Sequence, residues 1–468
     1  MRSKPPDALT LAEAFGRRMA IWGMGQEGLA LASLAARKGI DPVLIDDQAD
    51  ASRARVTDLL GADRAVLAPD DVEWAGLEVV VRSPGVSRYR PELEAARREG
   101  VVVTTTMALW LEDHGADRVL AVTGTKGKST TATLAAAVLE ASGWQVDLVG
   151  NIGVPVVETY DRPAADITVV EVSSYQAAEV TRSPQVAVLT SLAPDHLDWH
   201  GGVEPYYRDK LRLIEAVPPG QIAVSAASSQ ALSRTAAHPH RTLYGPEGRV
   251  VATSAGIIEV DGTGVADVDQ LNVPGRHNVW NLCGALAGVL LATEAVPSSS
   301  AVANALAGFS GLASRCHEVG VRDGRTYVDD ALASNPFATA TSIEAFAGRG
   351  LTVILGGADR GVDPAPLIDA LAAHRPSAAA VVLPPEADRL AGHLSNRGID
   401  VTTVQDLAEA VAAADRLTPA GGVVLFSPGA PTPPGGGGYS VRSRAFIEAA
   451  RVDTSPGGGN GGAEQLVR

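Results

Sequence analysis

The chain of 468 residues is poor in cysteine, in basic residues relative to acidic ones, and in long apolar runs. Its two cysteines, Cys283 and Cys316, imply no disulfide framework, so nothing in the sequence opposes a reducing compartment. Lysine and arginine number 39 against 54 acidic residues, and the net charge of −15 argues against a nucleic-acid partner. No uncharged apolar stretch reaches the roughly 18 residues that a membrane helix needs, and none follows the basic residues at the start. We therefore expect a cytoplasmic protein with neither a membrane span nor a signal peptide.

The composition is that of a globular protein with layered α/β structure. Hydrophobic residues make up 46% of the chain and charged residues 20%, and alanine, valine and glycine are frequent. At about 150 residues per domain, this length predicts about three domains.

A glycine-rich turn lies at residues 121–130, AVTGTKGKST, between a predicted strand and a predicted helix that Gly143 ends. Gly124, Gly127, Lys128 and Ser129 match the short form of the phosphate-binding loop, G-x-x-G-K-[ST]. Backbone N–H groups and the helix N-terminus can surround phosphate oxygens there. The lysine would reach the β- and γ-phosphates, and the serine hydroxyl would bind Mg²⁺. The alternative is an ordinary strand–helix turn, but the Lys–Ser pair favours an ATP site.

A second glycine motif lies near the N-terminus. Gly23, Gly25 and Gly28 form G-x-G-x-x-G after a predicted strand, and Asp46 ends the next strand. This Rossmann-type unit could hold NAD, FAD or a UDP-sugar, or it could be a tight turn without a ligand. A further buried strand ends at Ser83–Pro84–Gly85, on the sheet edge where open α/β sheets bind ligands.

Polar side chains also follow the strands of the central region. Glu171 ends a predicted strand, where it could hold Mg²⁺ or simply be solvated. The stretch DHLDWH, which brings Asp195, His196, Asp198 and His200, could be a metal site or a polar loop. Two further features receive the plainer interpretation from the residues alone. The sequence around Lys210 predicts a solvated helix lysine. For His277, Asn278 and Asn281 it predicts capping or solvated residues.

The last third of the chain alternates strands and helices again, which predicts a second Rossmann-like α/β domain. A Gly/Pro-rich loop at 431–440 reads as flexible, and the tail from Ser455 reads as disordered.

Together these motifs resemble those of the Mur ligases, ATP-dependent enzymes that form amide bonds in peptidoglycan precursor synthesis. The motifs come in the family's order: TGTKGKST, NIGVP, EVSSYQ, DHLDWH followed by Lys210, GRHNVWN and Arg315. The resemblance implies an α/β fold of three domains. The three domains are a UDP-substrate-binding Rossmann-like domain (1–103), a central ATP-binding domain (104–311) and a C-terminal amino-acid-binding Rossmann-like domain (312–450). A disordered tail (451–468) follows them.

The resemblance also implies roles for individual residues. The implied ATP-binding residues are Gly124, Thr125, Lys126, Gly127, Lys128, Ser129, Thr130, Asn278, Asn281, Arg315 and Asp330. The implied ligands of two Mg²⁺ ions are Ser129, Glu171, His196 and Lys210, the last as a carbamate. The residues implied for the UDP-substrate are Gly25, Asp46, Ser83, Gly85 and Asn151. Those implied for the amino-acid acceptor are Ser334, Arg360, Thr432 and Tyr439.

Within the family the chain is most similar to the ligases that add glutamate to UDP-N-acetylmuramoyl-L-alanine through an acyl phosphate. Departures cluster at the amino-acid site. The family's D-S-K-A-T-N is Asp330 to Asn335 here, with Leu332 in place of the lysine, and Arg360 replaces a second lysine. An arginine fork is not equivalent to a lysine point charge. Because the L-glutamate-adding branch also shares WGMGQEG, we expect L-glutamate as the acceptor, with D-glutamate as the alternative.

Two competing classes fit less well. A folylpolyglutamate synthase would share the phosphate loop but lack the Rossmann unit of residues 19–86. A regulatory module without catalysis would suit the changes at Leu332 and Ala331. It would not explain the catalytic residues that are retained, Lys128, Glu171, His196 and Lys210. We expect a monomer whose partners are ATP, glutamate and UDP-N-acetylmuramoyl-L-alanine, with no nucleic acid and no membrane among them.

Overall fold

The computed structural model describes residues 7–61, 64–115, 117–218, 221–238, 240–358, 361–385, 387–433 and 435–452. Arg360 and residues 453–468, which include the predicted disordered tail from Ser455, lie outside these ranges. The described residues divide into two compact units: those within 7–268 and 280–305, and those within 269–279 and 306–452. The first unit contains two β-sheets and the second unit contains one.

The first sheet is a five-stranded parallel Rossmann sheet. Its strands are β1 (Met19–Trp22), β2 (Val43–Ile45), β3 (Val66–Leu67), β4 (Val79–Arg82) and β5 (Val102–Thr104). Its helices are α1 (Leu11–Phe15), α2 (Gln26–Arg37), α3 (Ala49–Leu60), α4 (Pro91–Arg98) and α5 (Thr106–His114). The strand order is β3-β2-β1-β4-β5, so the topological switch point, where such sheets bind ligands, lies between β1 and β4.

The second sheet has nine strands and carries the glycine-rich loop. Its strands are β6 (Val119–Thr123), β7 (Val146–Gly150), β8 (Ile167–Glu171), β9 (Val186–Leu189), β10 (Ile222–Ser225), β11 (Thr242–Gly245), β12 (Val250–Ala252), β13 (Ile257–Val260) and β14 (Thr263–Asp267). Its helices are α6 (Lys128–Ala141), α7 (Ser174–Ala177), α8 (Leu197–His200), α9 (Val203–Leu211), α10 (Ser229–Arg234), α11 (Arg276–Thr293) and α12 (Ser299–Ala307).

The strand order in this sheet is β14-β13-β12-β11-β10-β9-β6-β8-β7. The seven strands from β12 to β7 in that order pair in parallel, whereas β13 and β14 add an antiparallel edge. Strand β6 lies between β9 and β8, so the polar residues that follow these three strands meet at one edge.

The third sheet forms the core of the second unit. Its strands are β15 (His317–Arg322), β16 (Arg325–Asp329), β17 (Leu351–Leu355), β18 (Ala378–Val382), β19 (Asp400–Thr403) and β20 (Val423–Phe426). Its helices are α13 (Pro336–Glu344), α14 (Ala365–Ala373), α15 (Ala387–Asn396), α16 (Leu407–Leu417) and α17 (Tyr439–Ala450). The strand order is β15-β16-β20-β17-β18-β19, with only β15 antiparallel to its neighbour.

The buried cores lie between each sheet and the helices that cover it, as expected for parallel sheets. Both cysteine thiols are buried and free. Over the described residues, every helix is too short or too polar to traverse a lipid bilayer. The predicted α/β class is confirmed, and the domain boundaries drawn from the sequence stay a prediction.

Candidate functional site

The glycine-rich loop after β6 has a backbone that only glycine adopts comfortably. Gly124 has φ +146° and Gly127 has φ +86°. A Cβ on Gly124 would lie 2.0 Å from the Thr190 hydroxyl oxygen, and one on Gly127 would lie 2.3 Å from the Asn281 side-chain oxygen. Both glycines are therefore required by conformation and by space. Helix α6 begins directly after the loop, at Lys128.

Hydrogen bonds hold this loop in place. The Thr125 hydroxyl lies 2.7 Å from the hydroxyl of Tyr206, and the Lys126 N–H donates to the Ser191 hydroxyl over 2.9 Å. The Lys128 ammonium donates to the Thr125 carbonyl over 3.1 Å. The loop is thus fixed before any ligand is bound, with a helix N-terminus and a lysine beside it, as an anion site requires.

A buried carboxylate lies beside the start of α6. Glu171, at the end of β8, is fully buried rather than solvated. It accepts hydrogen bonds from the Ser129 hydroxyl over 2.5 Å and from the Asn151 side-chain amide over 2.8 Å. Carboxylate and hydroxyl oxygens are the hard donors that Mg²⁺ prefers, so this pair fits such an ion. Across the described part of the chain, no group of three or more His, Cys, Asp and Glu side chains is arranged so that it could hold a metal ion.

Lys210 reaches the same loop from α9. Lys210 is 2% exposed, and its side-chain nitrogen donates to the Gly124 carbonyl over 2.9 Å. Burial, and then the nearby Lys128, hold the pKa of Lys210 well below its ordinary value. The interpretation of Lys210 as a solvated helix lysine is therefore wrong, because the side chain points into the interior.

His196 lies at the N-terminus of α8 with a left-handed backbone, φ 53°. Burial lowers the pKa of its imidazole to about 4, against the opposing effect of Asp195, so the ring is neutral at pH 7. Asp195 also forms an ion pair with Lys126, at a distance of 3.5 Å. A neutral imidazole can serve as a metal ligand.

The DHLDWH stretch does not assemble one metal site. The His200 ring instead lies between Asp209 and Ser174, with Nδ1 2.8 Å from the Asp209 carboxylate and Nε2 3.0 Å from the Ser174 hydroxyl. The Tyr175 ring lies 4.8 Å from the ring of His196 and 5.7 Å from that of His200. The metal-cluster interpretation of all four side chains is therefore not supported by their placement.

The five residues predicted for a UDP-substrate line one cavity in the first unit. Its volume is 410 Å³, and its wall includes Gly25, Asp46, Ser83, Gly85 and Asn151. The cavity opens at the switch point between β1 and β4, and part of its wall comes from the loop after β7.

Two of these residues also shape the cavity wall. The Asp46 carboxylate accepts from the Met24 N–H over 2.6 Å, and the Ser83 hydroxyl donates to the Gly23 carbonyl over 2.6 Å. The third glycine of the motif, Gly28, is needed because a Cβ there would lie 1.9 Å from that same carbonyl oxygen.

Gln26 and Glu27 belong to the same wall. The Gln26 amide donates to the Gly153 carbonyl. The Glu27 carboxylate accepts from the Thr106 hydroxyl over 2.5 Å and from the Gln176 side chain. Burial raises the pKa of Glu27, while those two hydrogen bonds oppose the rise. Both residues therefore link the first sheet to the second.

In the second unit, Asp330 is the most constrained of the predicted residues. Its carboxylate accepts from the Ser342 and Ser427 hydroxyls over 2.7 and 2.6 Å, and from the Cys316 N–H over 3.0 Å. Burial raises the pKa of Asp330 to about 6 despite these bonds. The ribose-binding role given to this residue stays a prediction.

The remaining predicted residues differ in how far they are buried. Arg315, Ser334 and Thr432 are half-buried, and Tyr439 is 48% exposed at the start of α17. Arg360 lies outside the described residues. Asn278, which groups with the second unit, is buried, and its side chain donates to the Pro274 carbonyl over 2.6 Å. Asn281, in the first unit, lies against Gly127.

Comparison with known proteins decides the family. The model of the Mur ligase middle domain matches residues 122–289, and that of the Mur ligase glutamate ligase domain matches residues 314–429. The chain is 41% identical over 457 residues, 95% of its length, to the UDP-N-acetylmuramoyl-L-alanine–L-glutamate ligase of Micromonospora sp., of which it covers 98%. The chain belongs to the Mur ligase family.

Two further comparisons agree with this assignment. The UDP-N-acetylmuramoyl-L-alanine–L-glutamate ligase of Salinispora tropica is 41% identical over 95% of this Mur ligase and 99% of its own length. The MurF ligase of Thermotoga maritima, solved in complex with ADP, shares the fold with a TM-score of 0.57. That similarity covers 85% of this chain and 91% of MurF at 17% identity. The predicted Mur ligase fold is confirmed.

Sequence reasoning missed one feature of this Mur ligase, a buried ionic network between the first two sheets. Arg82 is fully buried and pairs with Glu179, which also forms ion pairs with Arg88 at 3.1 Å and with Arg97 at 3.2 Å. Arg88 continues the network to Asp209, 3.3 Å away. Partners about 80 to 120 residues apart leave no local pattern, so no signal in a single sequence could have found them.

Proposed function

We propose that this Mur ligase uses ATP to join L-glutamate to UDP-N-acetylmuramoyl-L-alanine, releasing ADP and phosphate, as a step of peptidoglycan precursor synthesis. The observation that carries the proposal is the arrangement of side chains at one edge of the second sheet. A preformed phosphate loop meets a buried Ser129–Glu171 pair and a buried Lys210 there. In this proposal the enzyme acts in the cytoplasm, as a monomer, and its substrates are small molecules alone.

In the first step, the alanine carboxylate attacks the γ-phosphorus of ATP, and ADP leaves. Lys128 and the loop N–H groups would hold the phosphates in line, with Arg315 facing the γ-phosphate, and their charge would stabilise the transition state. Asn278 and Asn281 would contact adenine, and Asp330 the ribose. Mg²⁺, held by Ser129 and Glu171 and by His196 with carbamylated Lys210, would neutralise phosphate charge when bound. The product of this step is an acyl phosphate.

In the second step, the glutamate amine attacks the acyl carbon, and phosphate leaves the tetrahedral intermediate. The chain's part here is to position the two reactants. The cavity of 410 Å³ would hold the UDP-substrate through Gly25, Asp46, Ser83, Gly85 and Asn151. The second unit would hold glutamate through Ser334, Arg360, Thr432 and Tyr439.

Two observations support L-glutamate over D-glutamate. Relatives at 41% identity, aligned over nearly their whole length, carry L-glutamate in their names. The acceptor region also departs from the D-glutamate pattern, since Leu332, half-buried before α13, replaces a lysine. Loss of that charge changes how the two carboxylates of glutamate can be held.

The test is ATP-dependent phosphate release with UDP-N-acetylmuramoyl-L-alanine and either L-glutamate or D-glutamate, in separate reactions. We expect turnover with L-glutamate and at least tenfold less with D-glutamate. A Lys128→Ala variant should lose at least about 10²-fold in rate because the loop lysine stabilises phosphate charge. Mass spectrometry of the dipeptide product after chiral derivatisation confirms the enantiomer.

Each outcome separates one part of the proposal. Turnover with D-glutamate alone would contradict the assignment of L-glutamate as the acceptor but would still support the ligase reaction. No turnover with either, while ATP still binds, would overturn the acceptor. Full activity in Lys128→Ala would overturn the assignment of the phosphate loop.

A further inference from the structure

A second cavity in the first unit belongs to neither the phosphate loop nor the predicted UDP-substrate site. It measures 420 Å³, and five arginines dominate its wall. The lining residues are Arg88, Tyr89, Glu94, Arg97, Arg98, Arg208 and Arg212. It shares no lining residue with the cavity of 410 Å³. We call it the arginine pocket.

The arginines at the base of the pocket are already committed to protein partners. Arg88 lies 3.1 Å from Glu179 and 3.3 Å from Asp209, and Arg97 lies 3.2 Å from Glu179. Because both carboxylates are buried, these contacts fix two guanidinium groups in direction. The base of the pocket is therefore preorganised.

Two of the three arginines at the rim of the pocket, Arg98 and Arg212, are available to a ligand. Arg98 and Arg208 are exposed and Arg212 is half-buried. Within the described part of the chain, the guanidinium groups of Arg98 and Arg212 make no ion pair or hydrogen bond. Arg208 is engaged, since it donates to the Tyr89 hydroxyl over 3.0 Å and lies 3.9 Å from the Asp209 carboxylate. Rim arginines thus come from both walls, α4 on one side and α9 with the turn after it on the other.

The charge of the pocket opposes that of the whole chain. Its five guanidinium groups face one carboxylate on the wall, Glu94, and two more beneath it, Glu179 and Asp209. An excess of two positive charges therefore remains in a chain with a net charge of −15. Clustered positive charge within a concave wall raises the local concentration of anions.

From this arrangement we infer that the arginine pocket binds a diphosphate or triphosphate group. Guanidinium forks bind phosphate oxygens in pairs, and walls that converge on one space suit several linked phosphates. A single carboxylate would leave rim arginines uncompensated. Because α4 and α9 belong to different sheets, the bound anion would also hold those two elements together.

The test measures binding of inorganic pyrophosphate by titration calorimetry at physiological salt. All proteins carry Lys128→Ala, so that the phosphate loop contributes as little as possible. The test variant adds Arg98→Gln and Arg212→Gln, and the matched control adds Arg53→Gln and Arg118→Gln. Both controls are exposed arginines outside the pocket, so the two proteins lose the same charge.

We expect the test variant to bind pyrophosphate at least tenfold more weakly than its parent and the control to bind equally well. Circular dichroism and the melting temperature establish that each variant is folded. ADP, titrated in the same way, identifies the source of the phosphates. Tighter binding of ADP indicates a nucleotide, and equal binding indicates the diphosphate alone. Absence of pyrophosphate binding in the parent, or an equal loss in the control, would overturn the inference.

Discussion

Lys210 carries its amine into the protein interior, where burial and the neighbouring Lys128 keep its pKa well below normal. A neutral amine can react with CO₂ to form the carbamate that the resemblance implies. We predict a carbamate signal in ¹³C NMR after exchange into ¹³C-bicarbonate. The Lys210→Arg variant should lose the signal and about 10²- to 10³-fold of the ligase rate.

The control for this prediction is Lys38→Arg, a change at an exposed lysine that pairs with Asp161. It should keep both the signal and the rate. A carbamate signal that persists in Lys210→Arg would assign the modification to another lysine.

Asp330 is expected to make the stability of the protein depend on pH. Its folded pKa of about 6 lies above the ordinary value of 3.8 because the carboxylate is buried. The native state therefore holds the proton more tightly than the unfolded chain does, and stability from this group falls as pH rises from about 4 to 6. Asp330→Asn removes that dependence.

The measurement is urea unfolding of wild type and Asp330→Asn between pH 4 and 7. Relative to wild type, the variant should gain stability across pH 4 to 6 and show a constant difference above that range. A difference that is constant throughout would mean that Asp330 titrates normally.

At the scale of elements, the join between β6 and α6 depends on a glycine that can be tested against a matched partner. Gly127 and Gly143 flank the same helix with φ +86° and +92°. A Cβ at Gly127 meets the Asn281 side chain at 2.3 Å, whereas at Gly143 nothing lies within 4 Å. Gly143→Ala should cost only the left-handed strain of about 1 to 2 kcal/mol.

Gly127→Ala should in addition weaken ATP binding at least tenfold, because the loop must shift to admit the methyl group. Titration calorimetry with ATP measures this difference, with Gly143→Ala retaining wild-type affinity. Equal ATP affinity in the two variants would show that the loop tolerates a side chain at Gly127.

The ionic network between the first two sheets is expected to be costly to break. In Glu179→Gln, the fully buried Arg82 would lose its charged partner, and such a loss typically destabilises by about 3 to 5 kcal/mol. Glu204→Gln breaks an exposed pair with Arg234 and should change stability little. Chemical unfolding compares the two, and equal stabilities would mean that the network contributes nothing.

The sequence predicted the elements whose signals are local. Buried strands, glycine turns and the helices after them follow from composition and residue spacing, so β6, α6 and the β1–α2 turn are predicted. The antiparallel edge formed by β13 and β14 was not, because no motif marks it. The burial of individual side chains also could not be predicted from the sequence. Lys210 reads as solvated from helix spacing alone, and only the packing of α9 shows otherwise.

At the scale of the whole molecule, the proposed ATP and UDP-substrate sites follow different sheets. The phosphate loop follows β6, while the cavity of 410 Å³ opens at the switch point between β1 and β4 and contains no residue of that loop. The two sites meet at Asn151, which lines the cavity and donates from its side-chain amide to the Glu171 carboxylate. Binding at the two sites should therefore be largely separable.

We predict that Lys128→Ala weakens ATP binding at least tenfold and changes binding of UDP-N-acetylmuramoyl-L-alanine less than threefold. Asp46→Ala should have the opposite effect, because Asp46 lines the cavity and, among the described residues, its carboxylate accepts hydrogen bonds from the N–H groups of Met24 and Gln48 rather than from the loop. Asn151→Ala should weaken both ligands, since it removes a cavity wall and an amide partner of Glu171. Calorimetric titration of each variant with each ligand gives the six affinities. Loss of both ligands in Lys128→Ala or Asp46→Ala would mean that the two sites form one cooperative site.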